Sequence, residues 1–128
     1  MKISCFCLTA LTMVAATTPL QATTGPAGLP LPLACSGSEP FWGLTIRDES
    51  WAEYTWDNQK TLWHVESVGN AMMRPTTWRV VFKGRGRHAL IFRETQGCSD
   101  TDSDKPPEYS LLLEDGDGFL QGCCAAPP

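Results

Sequence analysis

Three groups of side chains are of the types and spacings that could do chemistry. Asp100, Asp102 and Asp104 recur at every second residue, like the first half of a calcium loop. Lys105 stands where such a loop needs its sharp Gly turn, and no Glu closes it, so a solvated acidic loop is expected. Glu39 lies between Gly37-Ser38 and Pro40-Phe-Trp42. A carboxylate there either caps N–H groups of a tight turn or faces a pocket rimmed by Phe41 and Trp42, and capping is the expected role. His64, His88 and the cysteines lack Cys-x-x-Cys or His-x-x-x-His spacing, which argues against zinc or copper. Neither a Gly-x-Ser-x-Gly nor a P-loop is present, so no catalytic constellation and no cofactor are expected. A hydrolase using Glu39 and the Asp100–Asp104 carboxylates is the enzymatic alternative.

The elements that would position these groups read as short strands. In Phe41-Trp-Gly-Leu-Thr-Ile-Arg47, Trp42, Leu44 and Ile46 fall on one face and alternate with polar residues. Trp51–Trp56 favours strand over a helix capped by Ser50 and Glu53, because of its aromatic and Thr content. Leu62–Val68 follows, ended by Gly69-Asn70. Thr76–Lys83 and His88–Glu94 flank Gly84-Arg-Gly-Arg87 as a hairpin, with Trp78, Val80 and Phe82 expected to meet Leu90 and Phe92. Glu108–Leu113 and Phe119–Cys123 bracket the turn Asp115-Gly-Asp-Gly118. The expectation is all-β: a small antiparallel barrel or sandwich of about six to eight strands, stapled by disulfides. Arg79, Lys83, Arg85 and Arg87 read as a solvated basic tip, and Met72-Met73 as core filling. Five tryptophans exceed what a small core needs; two or three lining an opening would let an apolar or sugar ligand stack.

The chain start predicts an address. Met1-Lys2, an uncharged apolar stretch and small residues from Ala16 to Ala22 form a secretory signal peptide, with cleavage expected near Ala22. The stretch is too short to span a bilayer. Residues 23–34 form a Pro/Gly-rich spacer, expected to be an extended arm or an unstructured mature terminus rather than a docked segment. Residues 35–126 form a single β domain. Leu31-Pro-Leu-Ala-Cys35 superficially matches a lipidation signal, but Pro32 is unsuited and Cys35 lies far past the apolar stretch. A soluble periplasmic or secreted protein is expected, and lipid anchoring through Cys35 is the alternative. The formal net charge of −4 and the absence of a long basic stretch exclude nucleic acid as the expected partner.

Cys5 and Cys7 leave with the signal, and the four remaining cysteines suit two disulfides in an oxidising compartment. Adjacent strand residues point to opposite faces, so Cys123 and Cys124 do not share a partner and the vicinal pairing drops out. Of the two pairings left, Cys98–Cys123 with Cys35–Cys124 is preferred, since the second bond would sew the domain's start to its end.

Gly37-Ser-Glu-Pro-Phe-Trp-Gly-Leu-Thr-Ile46 resembles the Gly-Thr-Glu-Pro-Phe-Trp opening of a family of small bacterial envelope proteins. Cys98-Ser-Asp-Thr-Asp-Ser-Asp104 with Tyr109 resembles that family's Cys-Ser-Asp segment, and Gly122-Cys123 its closing Gly-Cys. Thr101-Asp102 replaces the family's Gly-Met, and Lys105–Glu108 lengthens the approach to Tyr109. The resemblance implies that Cys98 pairs with Cys123, and an association with META-type and c-type lysozyme inhibitor domains; it implies no catalytic residue. The expected function is therefore a non-enzymatic envelope protein binding a partner protein or small ligand through Glu39, Phe41, Trp42, Asp100, Asp104 and Tyr109. Inhibition of a cell-wall-degrading enzyme such as lysozyme is the alternative.

Overall fold

A computed structural model describes residues 13–18, 23–98 and 107–127. Most of the expected signal peptide and the whole of Asp100–Asp104 lie outside the described residues. Among those described, no helix is long and apolar enough to cross a membrane.

Eight strands form a closed antiparallel barrel. In chain order they are β3 (Leu33–Gly37), β4 (Trp42–Ile46), β5 (Trp51–Trp56), β6 (Gln59–Ala71), β7 (Arg74–Phe82), β8 (His88–Arg93), β9 (Tyr109–Glu114) and β10 (Phe119–Ala125). Each strand pairs with the next, and β10 returns to β3 through Cys123–Ser36, Cys124–Cys35 and Ala125–Ala34. Closure leaves none of these eight strands a free sheet edge. Alternation does the sorting: Trp42, Leu44 and Ile46 of β4, Trp78, Val80 and Phe82 of β7, and Leu111 and Leu113 of β9 all turn inward and are buried. Each fully buried aliphatic side chain contributes about 1.5–3 kcal/mol of transfer free energy, so this alternation is the main source of stability.

Hairpin turns are set by short polar residues. Asp57 and Asn58 both take positive φ (48° and 60°), the geometry of a tight two-residue turn. Asp48 Oδ1 accepts from the N–H groups of Ser50 and Trp51 at 2.7 and 2.9 Å, so the turn before β5 is capped by Asp48 and no helix starts at Ser50. On the outer face Arg47 reaches Glu53 at 2.7 Å across the β4–β5 pair.

Four expectations are corrected. Ala89 and Ile91, not Leu90 and Phe92, face Val80 and Trp78; Leu90 and Phe92 sit opposite the outward Arg79 and Thr77. The register of the loop reverses the face, since one residue of slip turns every side chain over. Met72 and Met73 fill no core: they form the exposed β6–β7 turn, with Met73 at φ 60°. Gly69-Asn70 does not end β6, because Asn70 pairs with Trp78 and its side chain donates to Pro75 O at 3.0 Å.

The fourth concerns the spacer. Thr23–Thr24 (β1) pairs with Pro30–Leu31 (β2), and the turn between them carries Ala27 and Gly28 at positive φ. Leu29, Leu31 and Leu33 are buried in the barrel core, and the Trp78 indole donates to Ala27 O at 2.8 Å. The segment is a docked plug rather than an unstructured terminus, because its leucines have an open barrel end to fill. The extended arm expected of the alternating prolines is kept only in part: Pro30–Leu31 and Leu33 are strand, while Pro26–Gly28 is a 3-10 turn and the chain bends at Pro32.

Candidate functional site: the open end of the barrel

In an up-and-down barrel every second connection emerges at the same end. The 38–41, 57–58, 83–87 and 115–118 turns therefore ring one pole, and the N-terminal plug seals the other. At the ringed pole the interior is not filled. A cavity of 530 Å³ opens there, walled by Trp56, Gln59 and Thr61 on one side and by Phe119, Leu120, Gly118 and Pro40 on the other.

Its floor is a stack. The Tyr54 and Trp63 rings lie 4.2 Å apart with an interplanar angle of 27°. The Arg87 guanidinium covers the Trp63 ring at 4.8 Å, and its Nε donates to Asp115 O at 3.2 Å. The Tyr54 hydroxyl donates to Asp115 Oδ2 at 2.8 Å, while Asp115 Oδ1 accepts from the backbone N–H groups of Asp117 and Gly118, both at 2.8 Å. Burial alone would raise the Asp115 pKa; the Asp117 N–H, the Tyr54 hydroxyl and the Gly118 N–H outweigh it and hold the carboxyl below its usual range. Tyr54 is pushed well above the ordinary phenol range, first by burial and then by the Asp115 carboxylate. Turn, stack and strand thus fix one another, and the polar groups of the floor are held in place by their own hydrogen bonds.

A second depression of 590 Å³ lies alongside, lined by Phe41, Trp42, Gly43, Thr55, Asp57 and Asn58, and it shares Pro40 and Trp56 with the mouth. Phe41 is 81% exposed and Trp42 is buried, so of the expected pair only Phe41 is a rim residue. Glu39 is exposed at the hairpin tip with φ 60°, and among the described residues its carboxylate caps no N–H group. Tyr109 is buried near the plugged pole, its ring 6.0 Å from Trp78, and so stands apart from Glu39 and Phe41. Asp100 and Asp104 lie outside the described residues. Among those described, no cluster of His, Cys, Asp or Glu is arranged to hold a metal ion.

Both disulfides form as preferred, Cys35–Cys124 and Cys98–Cys123. Cys124 belongs to the interior cluster; Cys123 faces outward and is covered by the Cys98 segment, whose backbone N–H bonds Pro107 O. Trp42 explains why glycines flank this seam. A Cβ on Gly37 would strike the Trp42 indole, and one on Gly122 would strike the Ser36 carbonyl and the same ring. Gly37, Trp42 and Gly122 are therefore one packing unit at the point where the barrel closes.

Sequence reasoning passed over Tyr54, read Arg87 only as part of a basic tip and read Asp115 only as a turn residue. The available signal was the parity of connections: four turns separated by strand pairs must share a pole. Compared with known proteins, the chain matches no family model, no curated protein and no solved structure.

Proposed function

We propose that this is an exported, non-enzymatic binding protein of the cell envelope whose open barrel end receives a small ligand. The observation that carries the reading is the mouth itself: a 530 Å³ concavity with a half-exposed Trp56 on its wall and a prearranged Tyr54–Trp63–Arg87–Asp115 floor. Eight strands leave an interior that side chains either fill or surrender to one small ligand, and here one end is unfilled. The Tyr54 hydroxyl is held more firmly protonated than a free phenol, the opposite of what a nucleophile or base needs, which supports binding over chemistry. Two disulfides suit an oxidising compartment, and the Cys35 sulfur, joined to Cys124 inside the barrel, is not a thiol open to lipidation, which favours the soluble form. The resemblance to envelope proteins points the same way.

A second reading, capture of a partner protein such as a cell-wall-degrading enzyme, is favoured by Phe41 and Phe119, which are 81% and 61% exposed beside the mouth. Titration of the mature protein with small ring compounds, followed by tryptophan emission, tests the first. Trp56→Ala is expected to weaken binding by about 2 kcal/mol, as removal of a central aromatic anchor does. Binding that survives Trp56→Ala but is lost in a Phe41→Ala/Phe119→Ala pair would move the site to the rim and favour the second reading.

A further inference from the structure

We propose that the ligand of the mouth is a ring compound bearing a carboxylate, anchored by Arg87; this rests on the mouth being a binding site. Arg87 is half-buried, and its position is fixed twice, by the Trp63 face at 4.8 Å and by the Nε–H bond to Asp115 O. A guanidinium has five N–H donors in a planar fork, and this arrangement uses one of them. Among the described residues Arg87 forms no ion pair, whereas Arg47 on the open outer surface holds Glu53 at 2.7 Å. The nearest acid does not serve it. Asp115 gives Oδ1 to two backbone N–H groups and Oδ2 to Tyr54, and touches Arg87 only through its backbone carbonyl.

The mouth therefore holds a cation whose plane is already set and whose terminal donors have no acceptor among the described residues. A carboxylate matches that fork with two parallel bonds and meets it at little ordering cost. Trp56, 41% exposed on the same cavity wall, supplies a flat face for a ring, and Gln59 and Thr61 supply partners for ring hydroxyls. Asp117, exposed on the rim, gives the reading a built-in sign test, because its charge opposes an anionic ligand and would assist a cationic one.

Four probes separate the possibilities: glucuronate against glucose, and benzoate against benzyl alcohol, titrated into the mature protein at low and high salt. The acid of at least one pair is expected to bind about tenfold or more tighter than its neutral partner, with the advantage shrinking in salt. The pair that shows the advantage identifies a sugar acid or an aromatic acid. Arg87→Gln should abolish that advantage and Arg87→Lys should restore only part of it, with thermal unfolding confirming that both variants are folded. Asp117→Asn, which removes the rim charge and keeps the backbone N–H that donates to Asp115, should strengthen acid binding. Equal binding of acid and neutral probes, indifferent to Arg87→Gln, overturns the inference and leaves the mouth as a neutral-ligand site. Weakened acid binding in Asp117→Asn also overturns it. If none of the four binds at millimolar concentration, the inference and the small-ligand reading fall together.

Discussion

Asp115 is the residue on which the open end depends, since its carboxylate is shared between a turn and the barrel interior. Oδ1 closes the Asp115–Gly118 turn and Oδ2 reaches Tyr54 across a sequence separation of 61 residues. Its folded pKa lies below the unfolded value, so its stabilisation is fully present above pH of about 4 and drains away as the pH falls through the folded value. Tyr54 has the opposite sign: its folded pKa is raised, so its contribution is complete below pH of about 10 and is lost on going higher. Urea unfolding across pH 2–11 is expected to show both limbs, and Asp115→Asn should flatten the acid limb. Tyr54→Phe should cost about 1 kcal/mol at neutral pH, the usual net worth of one such hydrogen bond, and shrink the alkaline limb to the part that Tyr109, whose phenol is also raised by burial, contributes. An acid limb unchanged in Asp115→Asn would mean that other carboxylates govern acid unfolding.

Among the elements, the β3–β10 seam has the least freedom. Trp42 occupies the space that side chains at Gly37 and Gly122 would need, so the strands can meet there only through glycine. Gly122→Ala is expected to cost about 2–3 kcal/mol by overpacking and to weaken the near-UV signal of the tryptophans; a neutral effect would show that the ring can move aside. What was legible at this scale was the strand pattern: Trp42, Leu44 and Ile46 alternate cleanly with polar residues, and that alternation is physical, because a strand has only two faces. Leu90 and Phe92 misled because an all-apolar stretch such as Ala89–Phe92 carries no alternation, so only the hairpin register assigns its faces. The Leu-Pro segment was opaque for a related reason. Its leucines are buried by an end of the barrel that exists only after eight strands have closed.

At the scale of the molecule, closure is enforced covalently. Cys35 and Cys124 join the first and last barrel strands across 89 residues, and Cys98–Cys123 closes 25. In the chain-entropy model these are worth about 4–5 and 3–4 kcal/mol. Replacing Cys35 and Cys124 together by Ala should therefore destabilise the protein more than replacing Cys98 and Cys123, as read from denaturant midpoints; the reverse order would show that the barrel seam holds without its staple. The vicinal cysteines made this topology legible, since neighbours on a strand serve opposite faces. The mouth was not legible, because Tyr54, Arg87 and Asp115 are far apart in the chain and converge only through the parity of the turns. The first and last barrel strands begin and end at the plugged pole, where Ala34 faces Ala125. Anything attached through the segments that lead into β3 or out of β10 would therefore hold the barrel by its base, with the aromatic opening turned away from the attachment.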